Sequence, residues 1–267
     1  MLNKLSLSVT RLRMSRVNDD GNCIASSIGT GFYWRSAEKT YLVTNYHNIT
    51  GLNPDTNKLM HGWYPNNLQF SIYREGTSNG KISLAERLDV AISLYTDANT
   101  PVWIEHPLGR GIDCVAIKVS DDAKGLIHTN DYHFDARLNA YVGMDCTIIG
   151  YPKGLSADKD TPIWKRASIA SEPFLSFEGK PIILVDTATR EGMSGSPAVM
   201  RHSGLFSPDG GIANDSVIGT VENFMGIYSG RLADDPMGVQ LGRIWKGHVI
   251  DEVINANKIG THPDFVV

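Results

Sequence analysis

With 267 residues, 42% of them hydrophobic and 20% charged, the chain is long enough for one large domain or two small ones with a buried core. Its formal net charge of -4, with Lys and Arg scattered rather than clustered, argues against a nucleic-acid partner. Three widely spaced cysteines, Cys23, Cys114 and Cys146, do not form a zinc framework and read as free thiols of a reducing compartment, so a cytoplasmic location with no metal and no other cofactor is expected.

The opening residues, MLNKLSLSVTRLRMSRV, lack the continuous apolar stretch of a secretory leader, and alternation at Leu5, Leu7 and Val9 predicts an edge strand. No apolar run is long enough to span a bilayer, and no membrane partner is expected. Short strand-like segments then follow in series: SSIGTGFYW, TYLVTNYH, NLQFSIYRE, DVAISLYTD, PVWIEHP and DCVAIKV. A polar connector, SDDAKGLIHTNDYHFDARLN, separates these from CTIIGYP, PIWKRASIA, PIILVDTA, SPAVMR, VIGTVENFMGIYSG and GVQLGRIW. Only HVIDEVINANK has helical spacing, with Val249, Ile250, Val253 and Ile254 on one face. An all-β fold of two antiparallel six-stranded β-barrels, about 1–127 and 128–267, with a C-terminal α-helix accounts for the series and removes exposed edges.

One stretch carries a chemical signal. In TREGMSGSPAV, Ser194 stands between Met193 and Gly195, with Gly192 two residues ahead. A serine hydroxyl is a weak nucleophile near neutral pH and needs a base, which in turn needs a carboxylate to hold its tautomer. His47, at the end of the apolar strand in YLVTNYHN, suits the base, and Asp113, opening DCVAIKV, suits the carboxylate. Asp89 in LDVAISLY competes with Asp113, but DVAISLYTD and VWIEHP read as a hairpin, which starts Asp89 on an earlier strand.

The order His47, Asp113, Ser194, with TGFYW leading into YLVTNYH, DCVAIKV, GMSGSPAV and FMGIYSG, resembles the chymotrypsin-like (trypsin-fold) serine peptidases, and within them the bacterial members that lack disulfides. The resemblance runs from about Ile28 to the closing helix. It implies a serine endopeptidase acting on protein or peptide substrates, with Ser194 as nucleophile, His47 as base and then acid, and Asp113 as the orienting group. The N–H groups of Gly192 and Ser194 would form an oxyanion hole, and Ser229 would lie on the strand that binds substrate backbone. Motif matching places Ala188 at the base of the specificity pocket, with Thr189 beside it, Gly230 and Arg231 on one wall and Gly238 on the other. That arrangement implies cleavage after apolar or aromatic residues, with an acidic side chain facing Arg231 as the second choice.

Met193 stands where secreted trypsin-like enzymes have an aspartate that captures a new N-terminus, so that activation switch is not expected. Ser196 replaces a more usual glycine, a change expected to fit. The Asn48 sequon is discounted because a glycan beside His47 would block the cleft. Cys114 reads as a core thiol, and His61, His106, His128, His133, His202, His248 and His262 read as loop or surface residues without metal-ligand companions. An α/β-hydrolase needs another chain order and alternating helices. A non-catalytic peptide-binding double barrel carries the same residue types and stays open.

Overall fold

The structure is a computed structural model that describes residues 2–74, 76–78, 81–83, 86–207, 216–232 and 240–265. In chain order its main elements are α1 (Lys4–Leu7), β1 (Val9–Val17), β2 (Cys23–Ser36), β3 (Lys39–Thr44), α2 (Tyr46–Thr50), β4 (Asn67–Tyr73), β5 (Gly76–Ser78), β6 (Lys81–Ser83), β7 (Arg87–Ser93), β8 (Trp103–Glu105) and β9 (Val115–Ser120). The second half continues with β10 (Asp145–Gly150), β11 (Ile163–Ile169), β12 (Ile182–Asp186), β13 (Ser196–Phe206), β14 (Val217–Arg231), β15 (Leu241–Lys246), α3 (His248–Ala256) and β16 (Lys258–Ile259).

The chain is mostly β, as expected, in two large antiparallel sheets and a two-stranded hairpin, β5-β6. The second sheet is a closed six-stranded barrel in the order β10-β11-β12-β15-β14-β13. The first departs from the expected six-stranded closed barrel: it has eight strands, β16-β8-β9-β3-β2-β1-β4-β7. Its two sides are connected across the β7/β8 gap by a hairpin, where Tyr95 bridges Pro101 and Val102 N–H donates to the Leu94 carbonyl at 3.0 Å. The eighth strand comes from the far end of the chain, because α3 leads into β16, which pairs with β8. A division of the sequence at 127/128 therefore leaves one strand of the first sheet in the second segment.

The expected N-terminal edge strand is also corrected. Leu5 and Leu7 lie in the short helix α1, and β1 starts at Val9 as an interior strand between β2 and β4. Both leucines are buried, so an apolar alternation of three residues was satisfied by docking a helical turn rather than by a ladder.

Burial along β2 shows where the two sheets meet. Residues 23–28 are exposed or half-buried, whereas all of residues 29–34 are buried. A strand loses its period-2 alternation when both faces are covered, and here the second cover is the other barrel. One apolar cluster joins Val9, Phe32 and Val43 of the first sheet to Ile149, Ile182, Ile227 and Trp245 of the second. The apolar face of α3, Val249, Ile250, Val253 and Ile254, closes that same cluster, as its spacing predicts. The helix ends at Asn257, which adopts a left-handed conformation with its N–H on the Val253 carbonyl. Among the described residues no helix is long and apolar enough to cross a membrane.

Truncating the helix face removes packing from both sheets at once. Ile250→Ala, at a fully buried position, is expected to lower the unfolding free energy by about 2–5 kcal/mol. Urea unfolding followed by tryptophan fluorescence measures it, and an unchanged midpoint would mean that the helix is not part of the cooperative core.

Candidate active site

His47 sits in the first turn of α2, three residues beyond the end of β3, and Asp113 lies two residues ahead of β9. Strands β3 and β9 are direct neighbours, which brings the two side chains together. His47 Nδ1 lies 2.8 Å from Asp113 Oδ2, and the His47 backbone N–H donates to Asp113 Oδ1 at 3.1 Å. Asn45 Nδ2 donates to the Asp113 carbonyl at 2.7 Å. Asp113 is 1% exposed. A carboxylate so buried must be hydrogen-bonded, and its bond to Nδ1 requires the proton on that nitrogen, which leaves Nε2 as the acceptor when the ring is neutral. Asp89 plays no part in this pair. It lies on β7 with its side chain 74% exposed, and hydrogen bonds from Ser71 at 2.7 Å and Arg87 at 2.9 Å hold its carboxyl below the usual range.

Ser194 arrives from the other barrel, in the turn ahead of β13. Its carbonyl accepts the Thr30 N–H at 2.9 Å and Asn48 Nδ2 at 3.0 Å, which fastens the turn to β2 and to the helix that bears His47. Asn48 Nδ2 also lies 3.0 Å from Thr44 Oγ1, and the Thr44 hydroxyl donates to the Thr30 carbonyl at 2.8 Å. This network was not read from the sequence. The Asn48 amide is buried and engaged, in keeping with the discounted sequon. Thr30, Thr44 and Asn48 stand among other polar residues in their segments, so nothing in the local pattern sets them apart.

Gly192 has φ of +90°, and a Cβ there would stand 2.4 Å from the Tyr151 carbonyl oxygen, so the turn depends on glycine. The Thr30 hydroxyl donates to the Gly192 carbonyl at 2.7 Å, and Lys153 N–H donates to the Glu191 carbonyl at 2.6 Å. In a trans peptide the C=O and N–H point in opposite directions. Holding the Glu191 oxygen against Lys153 therefore turns the Gly192 N–H the other way, and among the described residues neither it nor the Ser194 N–H has a protein acceptor. His47, Glu191, Gly192 and Ser194 line one cavity of about 730 Å³, flanked by Met14, Met60 and Trp63. Ser194 Oγ and His47 line the same cavity without a hydrogen bond to each other; such nucleophile–base contacts commonly tighten only in the substrate complex.

A second cavity, of about 220 Å³, shares His47, Glu191 and Ser194 with the first and is bounded by Thr189, Tyr228, Ser229, Gly230 and Arg231. Ala188 does not stand at its base. It is exposed, and the buried neighbour Thr189 is hydrogen-bonded to the Tyr228 hydroxyl instead. Side chains alternate along an extended segment, so the residue beside the expected one faces the cavity. Gly238 lies outside the described residues. Ser229 and Gly230 fall in a bulge of β14, out of the ladder with β15, which leaves their backbone without a strand partner there.

The remaining motif residues find structural places. Met193 is fully buried in the core of the second barrel. Ser196 fits because residue 150 is glycine: a Cβ at Gly150 would stand 2.1 Å from Ser196 Oγ. Three of the histidines read as loop or surface residues, His106, His128 and His262, do lie in loops but are buried. His128 shows why: its ring bridges Thr40 at 2.8 Å and Asp131 at 2.9 Å, which satisfies both nitrogens under the connector.

The family model described as a trypsin-like peptidase domain matches residues 29–206, a span that contains His47, Asp113 and Ser194. The chain belongs to the trypsin-like peptidase family. Among solved structures, this trypsin-like peptidase domain is similar to the thermostable serine protease AL20 from an extremophilic microorganism, with a TM-score of 0.50 and 12% identity over 96% of this chain and 99% of that one. It is also similar to the Rv3671c protease in its inactive form, with a TM-score of 0.46 and 16% identity over 95% and 90% of the two chains. At such identities the likeness is one of fold. No curated protein matches the sequence.

The thiols of this trypsin-like peptidase domain offer a direct check on the two cores. Cys23 is exposed, while Cys114 and Cys146 are buried, and burial pushes the Cys114 thiol far up and the Cys146 thiol up to about 12. Titration with Ellman's reagent is expected to find one reactive thiol in the native chain and three in denaturant. Rapid reaction of a second thiol without denaturant would mean that one of the cores is open.

Proposed function

We propose that the chain is a serine endopeptidase that hydrolyses peptide bonds of protein or peptide substrates through Ser194, His47 and Asp113. The observation that carries this reading is the Asp113–His47 hydrogen bond bordering the same cleft as Ser194 and the two unengaged N–H groups. In the proposed reaction His47 Nε2 takes the proton of the Ser194 hydroxyl as Oγ attacks the substrate carbonyl. Asp113 stabilises the imidazolium that results, and the Gly192 and Ser194 N–H groups receive the oxyanion. His47 then gives its proton to the leaving amine, which frees the acyl-enzyme. A water molecule, deprotonated by the same nitrogen, completes hydrolysis and returns Ser194 to its starting state.

The bulge at Ser229 and Gly230 supports the placement of substrate as an added strand, since its backbone groups have no ladder partner toward β15. Each oxyanion donor typically contributes about 3 kcal/mol to the transition state.

Labelling by a fluorophosphonate probe and hydrolysis of a denatured protein test the reading together. Ser194→Ala and His47→Ala are expected to abolish both, because members of a triad act as a unit. Asp113→Asn is expected to lower turnover by about 10⁴-fold through the wrong imidazole tautomer, and Asp89→Asn to change it little. A wild-type chain that neither labels nor cleaves would favour a non-catalytic peptide-binding module.

A further inference from the structure

The cavity beside Ser194 is unusual in its charge. Its base is polar, formed by the Thr189–Tyr228 hydroxyl pair, and Arg190, Arg231 and Arg243 all line it, against a single lining carboxylate, Glu191. Burial raises the Tyr228 hydroxyl, while the Thr189 hydrogen bond and the charges of Arg231 and Arg243 pull it back, so both guanidinium groups act on the pocket base. Arg243 is held in place. Its Nη1 donates to Asp55 Oδ2 at 2.7 Å, and its Nε is buried without a partner among the described residues. Asp55 is also bonded to Lys180 at 3.1 Å, so it does not belong to Arg243 alone. Burial raises the Asp55 carboxyl, and the two cations more than reverse this, keeping it ionised.

We infer that this pocket selects substrates with glutamate or aspartate at the residue that supplies the scissile carbonyl. An apolar side chain would cover the hydroxyl pair and the guanidinium groups without giving them an acceptor, and the desolvation of those donors would go unrepaid. A lysine or arginine would meet three like charges. A carboxylate accepts charge-assisted hydrogen bonds from donors of this kind, and guanidinium groups match its planar geometry. The apolar preference expected from Ala188 loses its basis, because Ala188 does not face the pocket, and the second choice is strengthened by Arg190 and Arg243, which the sequence pattern did not bring to the site.

This inference rests on the endopeptidase reading, and the test separates the two. Fluorogenic peptides identical except for Glu, Asp, Gln, Leu, Phe or Lys at the cleavage position are compared by kcat/KM with the purified chain. Glu or Asp is expected to exceed Gln, Leu, Phe and Lys by at least about tenfold, and the advantage is expected to shrink as salt is added. The Glu-to-Gln ratio is expected to fall toward one in Arg243→Gln and in Arg231→Gln. That ratio reports on charge and is insensitive to a general loss of folded enzyme, and Arg231, being exposed, provides a variant that spares the core. Cleavage after Gln, Leu, Phe or Lys as fast as after Glu and Asp, or a chain that takes the fluorophosphonate label but cleaves none of the peptides, would overturn the inference and leave the endopeptidase reading standing. A chain that neither labels nor cleaves would overturn both.

Discussion

The carbonyl oxygen of Ser194 is the point on which the site depends. It accepts one hydrogen bond from the backbone of β2 and one from Asn48, the residue next to His47. The proposed nucleophile from one barrel and the proposed base from the other are thereby held in a common frame. Neither sheet alone contains the site, so its geometry is only as good as the contact between them. That contact has an apolar part, the cluster shared by both sheets and α3, and a polar part, the Thr30, Thr44 and Asn48 network. Apolar packing brings the surfaces together but is non-directional. The buried hydrogen bonds set register, because each donor left unpaired would be costly.

The same economy applies to the turn at Gly192–Ser194. The peptide oxygens opposite its two N–H groups are bonded elsewhere, Glu191 to the Lys153 N–H and Met193 to the Ser196 N–H, which turns both donors the other way. In the proposed reaction, donors arranged in advance would need no reorganisation when charge develops on a substrate oxygen. A side chain at residue 192 would destroy the arrangement by pushing against the Tyr151 carbonyl.

Charge around the cleft is distributed unevenly. Arg190, Arg231 and Arg243 line only the smaller cavity and Lys153 only the larger, while His47, Met60, Glu191 and Ser194 line both.

The sequence by itself determined the all-β class, the closing helix and the buried character of Cys114, and it singled out His47, Asp113 and Ser194, which the fold brings to one cleft. These follow from local periodicity and from motifs a few residues long, where side-chain type and spacing carry the meaning. Tertiary structure decided the rest. It made α1 of the expected edge strand and brought β16 from the far end of the chain into the first sheet. It buried His106, His128 and His262, turned Ala188 outward and Thr189 inward, and gathered Arg190, Arg231 and Arg243 around one pocket. Each of these outcomes depends on which face of a segment meets a partner distant in sequence, and a one-residue change in that facing reverses which side chains are buried.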